Sequence, residues 1–266
     1  MRKLSFKNYF YLLFATSVTV AIVITSFFLT EKSKKQYTST SSLMNKKLHQ
    51  VIYGKDCEEI LDIVKKESSK IEETLSFDFY GSDIEKINNS GGKWVKVSDI
   101  TINTLQKLIN ISYHTGGIFK PFYINKNDED ANKIKKLDCN MIIIDKENNR
   151  VRIENKGVIL SVDELIEGII CNKAIEIYKS KRINRAIIKV GSTTGYLNSN
   201  EDNIKNGFVS KCSEKYITDF KTGKLTANRT NFEFYHPNDA VISCALSRVC
   251  SILDNQNAQK IVDFFT

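Results

Sequence analysis

The spacing of apolar side chains predicts four long amphipathic helices and a short C-terminal one. Apolar residues recur every three or four positions in four segments, which are Glu58 to Leu75, Val97 to Phe119, Val162 to Ser180 and Asp239 to Leu253. The second helix is expected to start after Ser98 and to end at Gly116 or Gly117, because glycine readily adopts the left-handed conformation that closes a helix.

Shorter apolar or alternating runs predict the strands. They lie at Lys47 to Tyr53, Asn140 to Asp145, Arg150 to Asn155, Ala186 to Val190, Gly207 to Lys211, Lys215 to Thr218 and Asn231 to Tyr235. The second and third runs flank a polar turn, which is typical of a β-hairpin. Residues 192–214 are polar and rich in Asn, which predicts a flexible connection around the strand at Gly207 to Lys211. The expected class is α+β, with a mixed, largely antiparallel sheet and packed helices.

One apolar run is long enough to cross a membrane. The 21 residues from Tyr9 to Leu29 carry no charge, and a helix of that length spans the roughly 30 Å bilayer core. The sequence therefore predicts one transmembrane helix, with a membrane anchor at residues 1–30, a polar tether at 31–43 and a folded domain at 44–266. The alternative is a cleaved signal peptide, although the run exceeds the usual apolar core of about 7–15 residues and no clear cleavage site follows it.

Charge and cysteine usage exclude two classes of function. Residues 1–35 hold six basic residues and one acid, so they carry +5 of the formal net charge of +8. The remainder shows no basic stripe with interleaved aromatic residues, and nucleic acid is not an expected partner. The six cysteines form no C-x-x-C or Cys/His cluster, which argues against a zinc site. Buried thiols are the favoured interpretation, with disulfides as the alternative.

Six short segments follow one another in a characteristic order. They are E-E-T-L-S-F-D-F-Y-G-S-D-I-E-K-I-N at 72–88, G-G-I-F at 116–119, G-V-I-L-S-V-D-E-L-I-E-G-I-I at 157–170, I-I-K-V-G at 187–191, Y-I-T-D-F-K-T-G-K at 216–224 and H-P-N-D-A-V-I-S-C-A-L at 236–246. In type and order they resemble the landmarks of the FAD:protein FMN transferases, the ApbE family. The resemblance spans about residues 42–253 and implies the fold of those enzymes.

The resemblance also implies an activity and a location. Members of that family use FAD as substrate and Mg²⁺ as cofactor, and they transfer FMN to a Ser or Thr hydroxyl of an acceptor protein with release of AMP. They commonly work outside the cytoplasmic membrane. A single-pass protein of the cell membrane with an extracytoplasmic domain is therefore expected, with an exported flavoprotein as the acceptor.

Three residues are implied as metal ligands. Asp239 and Ser243 are four residues apart on one helical face and match the Asp and Thr of the family's metal motif, with Ser in place of Thr. Glu164 aligns with the segment that supplies a third contact. Oxygen ligands of this kind suit Mg²⁺. In the alternative interpretation Asp239 complements the helix dipole, Ser243 is a packing residue, and Glu164 forms a capping box with Ser161.

The resemblance implies flavin contacts spread over the first two-thirds of the domain. Asp78 stands where the family has Tyr, and Lys120 and Ser161 stand where it has Asp. The implied set is Met44, Asp78, Gly117, Ile118, Phe119, Lys120, Ser161 and Glu167. A helix C-cap is the structural alternative for the glycine turn.

The catalytic loop of the family corresponds to residues 216–223. Asp219, Thr222 and Gly223 are kept, but Tyr216 replaces a His. Tyr216 and Asp219 are the candidate catalytic residues, although a Tyr with a pKa near 10 is a poor base at neutral pH. The alternative is a structural turn between two strands. Two other functions stay open, namely an inactive membrane-anchored paralogue that binds flavin, nucleotide or a protein partner, and an interaction protein without a ligand.

Overall fold

The computed structural model describes residues 15–25, 35–43, 46–55, 57–124, 138–154, 158–212, 216–219, 224–227 and 232–265. Its helices are α1 (15–25), α2 (Glu58–Leu75), α3 (Asp83–Asn89), α4 (Asp99–His114), α5 (Asp163–Ser180), α6 (Ala240–Ile252) and α7 (Asn255–Phe265). Its strands are β1 (Lys35–Leu43), β2 (Lys46–Gly54), β3 (Val95–Lys96), β4 (Phe122–Ile124), β5 (Ile142–Asp145), β6 (Arg150–Ile153), β7 (Val158–Leu160), β8 (Arg185–Val190), β9 (Thr193–Leu197), β10 (Gly207–Cys212), β11 (Tyr216–Asp219), β12 (Lys224–Ala227) and β13 (Phe232–His236).

Six antiparallel strands form the main sheet, in the order β1-β2-β8-β9-β10-β13. Side chains alternate between its two faces. Leu48, Ile52 and Ile188 point into the large core, where α5 and α6 pack against the sheet. Val51 and Ile187 point to the other face and join a small apolar cluster there. The main core therefore lies between the sheet and this helix pair.

The three-stranded sheet β3-β6-β5 and the pair β4-β7 accompany α3 and α4. Asp83, at the start of α3, fixes the beginning of α4. Its Oδ2 accepts the backbone N–H of Ser98 (2.7 Å), the Ser98 hydroxyl (2.7 Å) and the Thr101 hydroxyl (2.7 Å). Ser98 is the N-cap residue, as the sequence predicts, but its side chain makes no capping hydrogen bond. The helix start is thus held by a carboxylate from the neighbouring helix.

The helices α5 and α6 approach each other closely at Gly168. A Cβ atom on Gly168 would lie 2.6 Å from the carbonyl oxygen of Ala240 and 2.8 Å from the backbone nitrogen of Val241. Only a residue without a side chain permits this distance. One turn after Gly168, Asn172 accepts the backbone N–H of Ala240 through its Oδ1 at 2.9 Å.

The predicted α+β class is confirmed, as are the four long helices, the terminal helix and the hairpin of β5 and β6. Two segments that were expected to lack regular structure form strands instead. Lys35–Leu43, expected within a polar tether, forms the edge strand β1, which pairs with β2 along its length and in which every second side chain from Tyr37 to Leu43 is partly or fully buried. Thr193–Leu197, expected in a flexible connection, forms the inner strand β9. Its backbone pairs with β8 on one side and with β10 on the other.

The predicted span from Tyr9 to Leu29 falls only partly within the described residues. Residues 15–25 are helical and exposed. Across the described ranges, no helix combines the length and the apolar character that a membrane span needs.

Replacing Gly168 by Ala should test the contact between α5 and α6. We expect Gly168→Ala to lower the free energy of unfolding by about 2–3 kcal/mol, because the added methyl group meets backbone atoms that cannot rotate away. Lys179→Ala, at an exposed position of the same helix, serves as the control and should change it by less than about 0.5 kcal/mol. Urea unfolding monitored by circular dichroism gives both values. Equal stability of the two variants would contradict the close packing.

Candidate functional site

Asp239 is the N-cap residue of α6 and has three hydrogen-bond partners. Its Oδ1 accepts the backbone N–H of Val241 (2.9 Å) and the side-chain amide of Asn172 (2.8 Å). Its Oδ2 accepts from the Lys107 ammonium on α4 at 2.5 Å. Burial would raise the pKa of Asp239, but the hydrogen bonds from Lys107 and Asn172 and the charge of Lys107 lower it below its usual value. The Asp239 side chain is therefore a carboxylate at neutral pH.

His236 supports the backbone next to Asp239. Its Nδ1 accepts the backbone N–H groups of Asn238 (3.2 Å) and Asp239 (2.9 Å). Burial lowers the pKa of His236, and Lys107 lowers it further, while Asp239 and a backbone hydrogen bond to Phe265 act in the opposite direction. An imidazole whose Nδ1 accepts hydrogen bonds is neutral and carries its proton on Nε2. His236 thus acts as a structural acceptor in this loop.

The three residues implied as metal ligands each have partners of their own. Ser243 is fully buried and donates its hydroxyl to the carbonyl oxygen of Phe208 at 3.1 Å. Glu164 lies 3.5 Å from the guanidinium of Arg248. No group of three or more His, Cys, Asp or Glu side chains within the described ranges has the arrangement of a metal site. The donors as arranged here do not fit a divalent cation.

The predicted capping box of α5 does not form. The N-cap residue is Val162, and no side chain makes a capping hydrogen bond to it. The Ser161 hydroxyl instead accepts the backbone N–H of Asp163 at 3.3 Å, while Glu164 turns towards Arg248. Ion pairing with α6 therefore determines the direction of the Glu164 side chain.

Glu167 is a buried carboxylate, and both of its oxygen atoms accept hydrogen bonds from residues outside its own helix. Its Oε1 pairs with the ammonium of Lys46 on β2. Its Oε2 accepts the backbone N–H (2.9 Å) and the hydroxyl (2.8 Å) of Ser192 and the hydroxyl of Thr193 (3.3 Å). Burial would raise the pKa of Glu167, but Lys46 and Ser192 lower it. A Cβ at Gly191, whose φ is +54°, would lie 2.5 Å from Oε1, so the turn between β8 and β9 closes tightly on this carboxylate.

A cavity of about 310 Å³ opens beside Glu167. Three cationic side chains line it, from Lys46 on β2, Lys211 on β10 and Arg248 on α6. The hydroxyl groups of Ser192 and Ser247 lie in the same wall. One lining carboxylate, that of Glu167, stands against three cations, so the cavity favours an anionic ligand.

The glycine turn after α4 has the expected left-handed backbone. Gly116 and Gly117 have φ values of +61° and +72°, and the Thr115 hydroxyl accepts the backbone N–H of Phe119 at 3.3 Å. Phe119 is buried in the core, and Lys120 lies against Gly117. A cavity of about 670 Å³ borders this turn and the side chain of Lys120.

The predicted site residues fall into separate groups in the structure. Glu164 and Glu167 lie in the first two turns of α5 and Ser161 just precedes this helix, whereas Ile118 and Phe119 follow α4. Asp78 is exposed in the turn after α2. Tyr216 and Asp219 are the first and last residues of β11, which lies against α6, but their side chains lie outside the described part of the chain. Met44 also lies outside it.

Sequence reasoning missed Asp163. Burial and the nearby charges of Asp78 and Glu164 raise the pKa of Asp163 to about 6, against the effects of a backbone N–H from Phe77 and of Lys46. Its Oδ1 is buried and has no hydrogen-bond partner among the residues that the structure describes. The only sequence signal was an acid in the first turn of a helix, which usually just complements the dipole. Lys107 was missed as well, because no local pattern marks its partner Asp239, which is 132 positions away.

The raised pKa of Asp163 predicts a pH-dependent stability. The folded protein holds the Asp163 proton up to about pH 6, whereas the unfolded value is 3.8, so this carboxyl destabilises the fold as pH rises through 6. We expect Asp163→Asn to raise the free energy of unfolding at pH 7.5 by about 1–2 kcal/mol, after allowance for partial exposure, with the gain vanishing towards pH 4. Urea unfolding at both pH values measures it. Asp62→Asn, on the exposed face of α2, is the control; a gain for Asp163→Asn that is equal at both pH values would contradict the assignment.

Solved structures with this fold include the ApbE protein of Thermotoga maritima (TM-score 0.75, 17% identity, 86% of this chain and 91% of that chain). Two more are the flavinyl transferase ApbE of Pseudomonas stutzeri in its apo form (0.73, 12%, 87% and 90%) and the flavin transferase ApbE of Vibrio cholerae (0.74, 11%, 87% and 91%). At these identities the likeness establishes the fold alone.

No curated protein sequence matches the chain at a significant level. The family model described as the ApbE family matches residues 44–205. That range is more than half of the chain, and it contains α2, the glycine turn, the Glu167 carboxylate and the tight turn at Gly191. The match in sequence and the shared fold lead to one assignment: this chain belongs to the ApbE family.

Proposed function

We propose that the protein binds FAD and transfers its FMN half to a hydroxyl group of an acceptor protein. The observation that carries this proposal is the cation-lined cavity beside Glu167, because FAD presents an anionic diphosphate and the lining side chains of Lys46, Lys211 and Arg248 complement it. Membership of the ApbE family supports the same substrate. The preorganised Glu167 carboxylate, held by Lys46 and Ser192, keeps the cavity wall in place.

In the proposed reaction the oxygen of an acceptor Ser or Thr attacks the phosphorus of the FMN half. A P–O bond forms to the acceptor, the P–O bond to AMP breaks with its electron pair going to AMP, and the hydroxyl proton leaves to a base. Asp219 is the proposed base, since β11 lies against α6 and a carboxylate accepts a proton at neutral pH more readily than the hydroxyl of Tyr216. No step is assigned to Mg²⁺, because the described donors do not fit it.

We further propose that the protein is anchored in the cell membrane and that its domain faces the extracytoplasmic side. The uncharged run from Tyr9 to Leu29 supports the anchor, and the resemblance to extracytoplasmic flavin transferases supports the side. The acceptor would then be an exported flavoprotein.

A second candidate function is FAD binding without transfer. It is favoured by the ion pair between Lys107 and Asp239, which places an ammonium on the carboxylate implied as a metal ligand, and by Tyr216 at a position where the family has His. A protein of this kind keeps the scaffold and the anionic-ligand cavity but lacks the means to release AMP.

Titration of the full chain with FAD, followed by flavin fluorescence, tests the binding that both candidates share. We expect FAD to bind at least about tenfold more tightly than riboflavin, which lacks the diphosphate. Lys211→Gln should weaken FAD binding about fivefold, since an ion pair near the surface contributes about 1 kcal/mol. Lys179→Gln, on the exposed end of α5, is the matched control and should leave the affinity unchanged.

Transfer of FMN is then measured with the same protein preparation. The full chain is incubated with FAD and extracytoplasmic extract, and both AMP release and flavin fluorescence that resists denaturing electrophoresis are measured. AMP release with a labelled acceptor band supports the transferase, and FAD binding without either signal supports the second candidate. Failure of the full chain to bind FAD would contradict both.

A further inference from the structure

Lys107 occupies the position at which a cation would meet Asp239. Its ammonium lies 2.5 Å from Oδ2, and the side chains of Lys107 and Asp239 are 39% and 17% exposed. Oδ1 is already used by Asn172 at 2.8 Å and by the backbone N–H of Val241 at 2.9 Å. Both oxygens of the carboxylate thus face N–H donors. These three donors take three of the roughly four lone-pair directions of the carboxylate, and the remaining one, on Oδ2, lies beside the Lys107 ammonium.

In the described part of the chain, the side chains implied as further ligands already have other partners. Mg²⁺ requires an octahedron of oxygen atoms at about 2.0–2.1 Å. The buried Ser243 hydroxyl is directed to the carbonyl oxygen of Phe208, and Glu164 pairs with Arg248. The imidazole Nδ1 of His236 accepts two backbone N–H groups. A divalent ion at Oδ2 would also lie within a few ångströms of the Lys107 charge, which repels it.

We propose that Lys107 is a built-in cation that takes the place of a divalent metal ion at Asp239, and that its remaining N–H groups are available to an anionic group of the ligand. An ammonium has three N–H donors, and Asp239 takes one of them. The compact charge of a lysine is well suited to a phosphate oxygen. Asn172 and the N-terminus of α6 hold Asp239, which in turn holds Lys107, so Lys107 is oriented without a metal. The part of the proposal that concerns the ligand rests on the proposed function, whereas the exclusion of divalent cations does not.

Binding of Mn²⁺ to the full chain, followed by the loss of the electron paramagnetic resonance signal of the free ion, tests the exclusion directly. The wild-type protein should show no Mn²⁺ site that depends on Asp239 at millimolar concentration. Lys107→Met should create one site, because it frees Oδ2, and Lys107→Met combined with Asp239→Asn should remove that site. Lys107→Arg retains the charge and should create none.

Lys86→Met provides the matched control. Lys86 also pairs with an aspartate, Asp83, but at 3.8 Å its ammonium is beyond hydrogen-bond distance, so its removal frees no lone-pair direction that it had occupied. This variant should gain no Mn²⁺ site. Circular dichroism establishes that each variant is folded.

Two outcomes would overturn the proposal. A wild-type Mn²⁺ site that Asp239→Asn abolishes would contradict the exclusion, and a folded Lys107→Met variant that gains no site would show that Lys107 is not what keeps the ion out. If Lys107→Met does not fold, the comparison of the wild type with Asp239→Asn still decides, since a shared absence of binding supports the proposal and a wild-type site overturns it.

The proposed contact between Lys107 and the ligand is tested by FAD titration in EDTA and in millimolar Mg²⁺. We expect equal affinity within about twofold in the two conditions, and Lys107→Met should weaken binding about fivefold or more in EDTA. Binding of FAD only with Mg²⁺ would overturn this part. An absence of FAD binding in both conditions would contradict the proposed function instead, and the Mn²⁺ measurement would still decide the role of Lys107.

Discussion

The backbone contact between α5 and α6 at Gly168 determines where the chemical groups of this protein lie. Because no side chain separates the two helices at this point, residues on either side of Gly168 reach different surroundings. Glu167 extends to the turn between β8 and β9, where Ser192 and Thr193 supply donors. Asn172, one turn further on, reaches the N-terminus of α6. A wider separation of the two helices would lengthen the hydrogen bonds that Asn172 makes with Asp239 and Ala240.

Two buried or partly buried carboxylates are each balanced by a lysine from a distant part of the chain. Lys46 comes from β2 to Glu167 and Lys107 comes from α4 to Asp239, over 121 and 132 positions respectively. Removing a charge from water is costly, and such pairs are stable only when hydrogen bonds satisfy the remaining lone pairs. Both carboxylates meet that condition through backbone N–H and side-chain donors. The pairs therefore fix how β2 and α4 sit against the α5–α6 unit more than they add to its stability.

The elements with strong periodicity were predictable from the sequence, and the contacts between them were not. The apolar stripes of α2 and α6 were sufficient to predict both helices, since burial of one face is what stabilises them. The strand β1 was missed because its polar Ser and Thr residues resemble a linker in composition, and only pairing with β2 reveals it.

In the candidate site, too, positions on single elements could be predicted and contacts between elements could not. The position of Asp239 at a helix start could be predicted, because N-cap preference is local. Its lysine partner could not, because the pairing depends on how α4 packs in three dimensions. Glu164 shows the opposite error: a local rule predicted a capping box, and an ion pair with Arg248 on another helix prevails.

The need for positive charge connects the pair of Asp239 and Lys107 with the cavity beside Glu167. A divalent metal ion would contribute two positive charges to the diphosphate of FAD, whereas one lysine contributes a single charge and about half of the neutralisation. In the proposed complex the balance has to come from other cationic side chains, and Lys211 and Arg248 line the cavity beside Glu167 towards the other end of α6. A charge attached to the chain is present at fixed stoichiometry and does not depend on the concentration of free ions. It also polarises a phosphoryl oxygen less than a metal ion does. The same substitution that would make ligand binding independent of metal ions would therefore slow the release of AMP, so binding and transfer need not be retained together in this chain.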